Sequence, residues 1–232
     1  MKKKELDEAR NHFLNSLEIN PNYADAYYHY GLLLIELKDH EEAKNTFDKV
    51  TEIDQNYSSA YFFKARILTH SDDFESARSN YETAIDINEK FEEAHYYMAK
   101  LLIGGVATDK EGTIVDKSNI PEAKKHLLSA LKLNPKNAKA LYNLGKVHIV
   151  EDSYSKAKIN FKKAISADKE YSKAHFLLGT VFLQEKDNRT AEKHLTNSIK
   201  FFEQNPKAHF KLGEMYYKEE TFQKSEEHRK IS

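Results

Sequence analysis

The sequence predicts an all-α protein built as a row of stacked helix pairs, and three observations carry that prediction. The first is a period. The small residues Ala9, Ala43, Ala77, Ala123, Ala157, Ala191 and Ser225 are separated by 34, 34, 46, 34, 34 and 34 positions, and self-similarity at a fixed interval of this size marks a repeat architecture. A second series, Gly31, Ala65, Ala99, Gly145, Gly179 and Gly213, runs with separations of 34, 34, 46, 34 and 34. The second observation is helical spacing twice in each period: Tyr27, Tyr30, Gly31 and Leu34 fall at i, i+3, i+4 and i+7, and Ala43, Phe47 and Val50 form another such face. The third is a residue of N-cap type between the two faces at one phase: Asp39, Asp73, Asn119, Ser153, Asp187 and Thr221. Each can accept a hydrogen bond from the free N–H groups that open the following helix.

Taken in order, residues 1–23 supply a lone second helix, with Leu6, Ala9, Phe13, Ser16 and Leu17 on its apolar face and Pro21 beyond its end. Without a partner first helix that face predicts an exposed apolar stripe and self-association through this end. Repeats follow at 24–57 and 58–91, where Tyr61, Ala65 and Leu68 precede Ala77, Tyr81 and Ala84. Asp39 with Glu42, and Asn119 with Glu122, have capping-box spacing. The repeat at 92–137 contains 12 extra residues near 105–117. Gly104 and Gly105 can end its first helix, and Asn119 with Pro121 can start its second. Between them "VATDKEGTIVD" predicts a small hairpin or a loop, which a stack of helix pairs tolerates in a turn. The segment reads equally as a specific contact element or as tolerated drift. Repeats at 138–171 and 172–205 restore the period, and the unit at 206–232 is truncated, with Arg229 where Phe47 and Phe161 stand earlier. The expected total is about thirteen helices. Half-units at both ends predict either a segment of a longer chain or a polar last helix acting as a cap.

Composition narrows the function. Of 232 residues 40% are hydrophobic, enough to fold, while Lys+Arg at 36 and Asp+Glu at 37 leave a formal charge of −1. No nucleic-acid partner follows from that balance. No run approaches the roughly 20 apolar residues of a membrane span, so a soluble, cytoplasmic protein without a membrane partner is expected. With no Cys there is neither disulfide nor thiolate chemistry. Phosphate-binding glycine loops, zinc-protease helices and nucleophile elbows are all missing from the sequence. His95, His175 and His209 share one repeat phase, which places them roughly 8–10 Å apart on neighbouring helices. They therefore read as packing residues and not as metal ligands. The expectation is a non-enzymatic protein with no cofactor.

Leu141, Leu144, Gly145, His148, Ala157, Phe161, Ala164 and Lys169 fall at the positions where the tetratricopeptide repeat has an aromatic, Leu-Gly, an aromatic, Ala, an aromatic, Ala and Pro. His148 replaces the usual Tyr, and Lys169 the usual Pro. The chain resembles that family over essentially its whole length. The resemblance implies a right-handed superhelical solenoid of antiparallel helix pairs whose first helices line a concave, peptide-binding groove. Groove positions are then Tyr28, Phe62, Tyr96, Tyr142, Phe176 and Phe210, an aromatic at every repeat, with Lys100, Lys139, Asn143, Lys146, Lys173, Lys207 and Lys211 beside them. Lys100, Asn143 and Lys173 occupy three of the five positions with which some relatives clamp a terminal carboxylate. Tyr96 and Leu177 stand where that clamp is basic. The expected function is a scaffold holding a protein or peptide segment, acidic or carboxylate-bearing. The competing reading is an architectural, oligomerising or regulatory module of a larger protein with an idle groove.

Overall fold

A computed structural model describes residues 2–104 and 117–231, with side chains over 5–104 and 117–220. Residues 105–116 of the expected hairpin or loop lie outside the described residues. The described residues contain twelve α-helices and no strand: α1 (Lys2–Ile19), α2 (Ala24–Glu36), α3 (His40–Ile53), α4 (Ser58–His70), α5 (Phe74–Ile87), α6 (Glu92–Gly104), α7 (Ile120–Leu133), α8 (Ala138–Val150), α9 (Tyr154–Ala167), α10 (Ser172–Gln184), α11 (Asn188–Phe201) and α12 (Pro206–Ile231). They divide into two compact units, Met1–Leu133 and Asn134–Ser232.

In the first unit α1 packs on α2, then α2 on α3, α3 on α4, α4 on α5, α5 on α6 and α6 on α7. Its core gathers Leu34, Ala43, Phe47, Val50 and Ala60, all inaccessible to solvent. Leu6, Ala9, Phe13 and Leu17 of α1 lie half-buried against that cluster. In the second unit α8 packs on α9, α9 on α10, α10 on α11 and α11 on α12, around Ala157, Phe161, Leu178 and Ala191. The small-residue phase has a direct use. An ideal Cβ on Gly31 would lie 2.8 Å from Phe47 Cε1 and Cζ, so the missing methyl is what lets α2 and α3 close on that ring.

Four helix pairs, α2–α3, α4–α5, α8–α9 and α10–α11, turn through a left-handed residue. Lys38, Asp72, Asp152 and Lys186 have φ of 65°, 61°, 54° and 61°. The following N–H reaches back five residues, Asp39 to Leu34 O at 2.9 Å and Asp187 to Phe182 O at 3.0 Å, which satisfies carbonyls the helix end leaves open. That bond changes one expectation. Asp39 accepts from Glu42 N at 3.3 Å, but its own N–H is already committed, so no reciprocal capping box closes. The Glu42 carboxylate takes Tyr30 Oη at 2.6 Å and Arg10 Nη2 at 3.0 Å, tying α1, α2 and α3 together. Likewise Glu122 receives Arg78 Nη2 at 3.0 and 2.9 Å, joining α7 to α5. Ser153 makes no side-chain cap. Asn137 and Asn205 cap first helices instead, accepting from Ala140 N at 2.9 Å and Ala208 N at 3.2 Å.

The twelve helices of the described residues agree with the expected count of about thirteen to within one, and the difference lies in α12, which runs unbroken through Thr221, where a second-helix start is expected. The sequence there reads Ser225 and Arg229 at positions that hold Ala157 and Phe161 earlier. Turning back would bury little apolar surface, whereas a continuous helix adds one backbone hydrogen bond for each residue it fixes.

Candidate functional site

The first helices place the expected aromatic residues at different depths. In the first unit Tyr28 of α2 is half-buried, its ring 5.0 Å from Tyr57 and 6.0 Å from Phe63. Tyr57 in turn donates to Asp25 Oδ1 at 2.9 Å, and burial followed by that carboxylate raises its pKa. Phe62 of α4 is 4% exposed, enclosed by Phe63, Tyr81, Phe91 and Tyr97. Its ring belongs to the core, and the outward group on that turn is Arg66, whose guanidinium carbon lies 5.0 Å from the Tyr97 ring centre. Tyr96 is half-buried and stands edge-on to Tyr97. Lys100 is exposed, its ammonium 5.6 Å above Tyr97.

In the second unit the outward positions are cationic. Lys139, Lys173 and Lys207 are exposed. Asn143 is buried and spends its Nδ2 on Lys139 O at 2.9 Å, which holds the side chain along α8. Tyr142 is half-buried between Phe161 and Tyr171, and Phe176 is half-buried on α10. Lys146 is half-buried, and its pKa is lowered first by burial and then by the charge of Lys173. Helices α8 and α10 carry no acidic residue at all. Among the described residues Lys139, Lys146, Lys173 and Lys207 form no ion pair. On α12 Phe210 is 64% exposed, and half-buried Lys211 sits 5.7 Å from its ring while bonding Glu214 Oε2 at 2.7 Å.

The histidines form pairs that their shared phase alone does not reveal. His95 Nδ1 lies 3.0 Å from His126 Nδ1, and His175 Nδ1 lies 3.0 Å from His194 Nδ1. The outer nitrogens of His95 and His175 face backbone carbonyls, Glu89 O at 3.1 Å and Lys169 O at 3.3 Å. An Nε2–H on each is therefore required, which leaves Nδ1 as acceptor from the partner ring. His209 is exposed, its Nε2 3.3 Å from Glu203 O. Among the described residues no group of three or more His, Asp or Glu is placed to hold a metal ion. The signal for the pairs was present: His126 and His194 lie 68 residues apart, two periods.

Family models for the tetratricopeptide repeat match residues 1–67, 58–91, 114–149 and 138–171. The chain belongs to the tetratricopeptide repeat family. Solved structures agree in fold. The tetratricopeptide repeat protein YrrB, described as having an unusual peptide-binding site, superposes with a TM-score of 0.68 at 18% identity, over 87% of this chain and 97% of its own. PilF of Pseudomonas aeruginosa gives 0.68 at 20% identity, over 88% and 81%. A chain of the APC/C hetero-tetramer Cut9–Hcn1 gives 0.72 at 17%, over 91% of this chain and 40% of its own. No curated protein sequence matches.

Proposed function

We propose that this tetratricopeptide repeat chain is a non-enzymatic scaffold whose first-helix faces hold an acidic or carboxylate-bearing segment of a protein partner. The observation that carries the reading is the lysine set of α8 and α10. Lys139, Lys146 and Lys173 project from two helices without one acidic residue. Unpaired like charges on one unit raise each other's energy, and an anionic segment relieves that repulsion. Half-buried Tyr142 and Phe176 and exposed Phe210 add contact area at small rotamer cost. In the first unit Tyr28, Tyr96 and Lys100 offer the same mixture of ring and cation.

The test is charge reversal at Lys173→Glu with Lys207→Glu in the full chain, both exposed positions where folding is unaffected. Capture of a fluorescent Glu-rich peptide, followed by anisotropy, falls roughly tenfold or more, a loss of about 1.4 kcal/mol. Equal binding by the variant and the parent discards the reading. A scaffold with idle faces is the competing outcome, and it predicts no peptide binding by either protein.

A further inference from the structure

Half-buried lysines in this protein meet carboxylates. Lys44 and Lys64 both pair with Asp48, Lys158 pairs with Glu185 at 2.6 Å, and Lys211 pairs with Glu214 at 2.7 Å. Lys146 departs from that pattern. It is half-buried on α8, and among the described residues it forms no ion pair. Neither its own helix nor α10 contains an acidic residue. The charge that acts on it is a second cation, Lys173 of α10. Arg66 and Lys100 hold the same repeat phase on α4 and α6, but both are exposed and keep their water.

An ammonium drawn partly out of water, without a counter-ion and beside a like charge, is stabilised by losing its proton. Burial first and Lys173 second act on Lys146 in that direction. The neutral amine has a free lone pair, and desolvation next to another cation is one of the ways in which a lysine becomes a nucleophile. The surroundings also select the electrophile. An acetyl donor would leave a neutral amide, and Lys173 would still have no anion beside it. Carbon dioxide leaves an anion.

We infer that Lys146 is a carbamate site, whose amine takes up CO2 and whose product is held by the ammonium of Lys173. The nitrogen lone pair attacks the carbon, one C=O π pair moves onto oxygen, and the nitrogen gives one proton to solvent. Lys-NH2 and CO2 thus become Lys-NH-COO− and H+, with nothing oxidised or reduced, and the reverse reaction restores the amine. The step replaces an unpaired, half-buried cation with a carboxylate-like group in a charge-assisted pair. It goes beyond the peptide-binding reading and does not rest on it, because the reaction belongs to the amine itself.

The test is carbamate trapping on the full chain. The protein is equilibrated with carbon-13 bicarbonate at about pH 8, where the chain's α-amine is already partly neutral and serves as an internal standard. A trialkyloxonium salt then fixes carbamates as esters, and peptide mass spectrometry maps them. Among side-chain amines the ester concentrates on Lys146, above the exposed Lys139 and Lys207. Lys146→Arg loses the corresponding carbamate resonance in the carbon-13 spectrum; Arg66 shows that a guanidinium is accepted at this phase, and the thermal midpoint checks that the variant is folded. Lys173→Gln, at an exposed position, lowers the ester at Lys146, since the carbamate loses its cation and the amine loses the like charge that favours its neutral form. No ester at Lys146, a yield there no higher than at Lys139 and Lys207, or a Lys173→Gln protein carrying as much ester as the parent overturns the inference.

Discussion

At Gly31 one hydrogen in place of a methyl decides how closely α2 and α3 approach, since Phe47 stands 2.8 Å from where a Cβ would be. Gly31→Ala is expected to cost about 1–3 kcal/mol through overpacking, offset in part by about 1 kcal/mol of helix propensity. Gly213 shares the phase but has nothing within 4 Å, so Gly213→Ala stabilises by about 0.5–1 kcal/mol. Urea denaturation of both variants checks the opposite signs, and a common sign refutes the packing argument. The histidine pairs give a second prediction at this scale. Burial is the main cause lowering the pKa of His126, His175 and His194, the last to about 4. The charges around His194 are His175, Lys193 and Lys162, and those around His126 are His95, Glu122, Lys125 and Glu82. Folded pKa values below the unfolded value of about 6.5 mean that the unfolded chain binds more protons in that window. The stability these pairs contribute is complete above about pH 6.5 and is lost as pH falls toward about 4. Thermal midpoints measured from about pH 7 to pH 5 should decline, and His175→Leu with His194→Asn, the pair found at Leu141 and Asn160, should flatten the decline. A parent midpoint that stays level through this range removes the pairs from the account.

Helices are where the reading of the sequence was strongest and where its errors are instructive. Period and apolar spacing are local properties of the chain, and they were enough to predict helix pairs. Asp39, Asp73 and Asp187 cap as their residue type predicts, bonding Glu42 N, Ser76 N and Thr190 N. Asp73→Ala is accordingly expected to cost about 1 kcal/mol, read as a lower midpoint in urea; an unchanged midpoint would show that the turn is held by its backbone bonds alone. The Asp39 capping box does not close because the αL turn takes the Asp39 N–H first. No glycine marks that turn: Lys38, Asp72, Asp152 and Lys186 accept the left-handed conformation because the bonds on either side impose it. Glu42 and Glu122 have the composition of solvated surface carboxylates, and their bonds to Arg10 and Arg78 could not be read from one helix at a time. Those pairs remain partly exposed and contribute little to stability. Helix α12 marks the complementary limit, where a cap-type Thr221 does not end a helix that gains nothing by turning back.

For the whole molecule, a formal charge of −1 hides a segregation of charge. Two helices of the second unit carry lysine and no carboxylate, so binding of an acidic peptide should weaken as salt is added, and less steeply after Lys173→Glu with Lys207→Glu. A salt-independent affinity in the parent would mean that these lysines only solvate the surface. The site residues divide in the same way between what pattern shows and what packing decides. The phase of Tyr28, Phe62, Tyr96, Tyr142, Phe176 and Phe210 was legible, but their depths run from the buried Phe62 to Phe210, 64% exposed. Depth depends on which neighbours reach each position, and those neighbours lie a repeat away. By itself the sequence determined the repeat, the helices and the family, because periodicity and capping act over a few residues. The tertiary structure alone decided which histidines meet and which carboxylates are tied down. Each of these is a distance between side chains on different helices, set by how closely those helices pack.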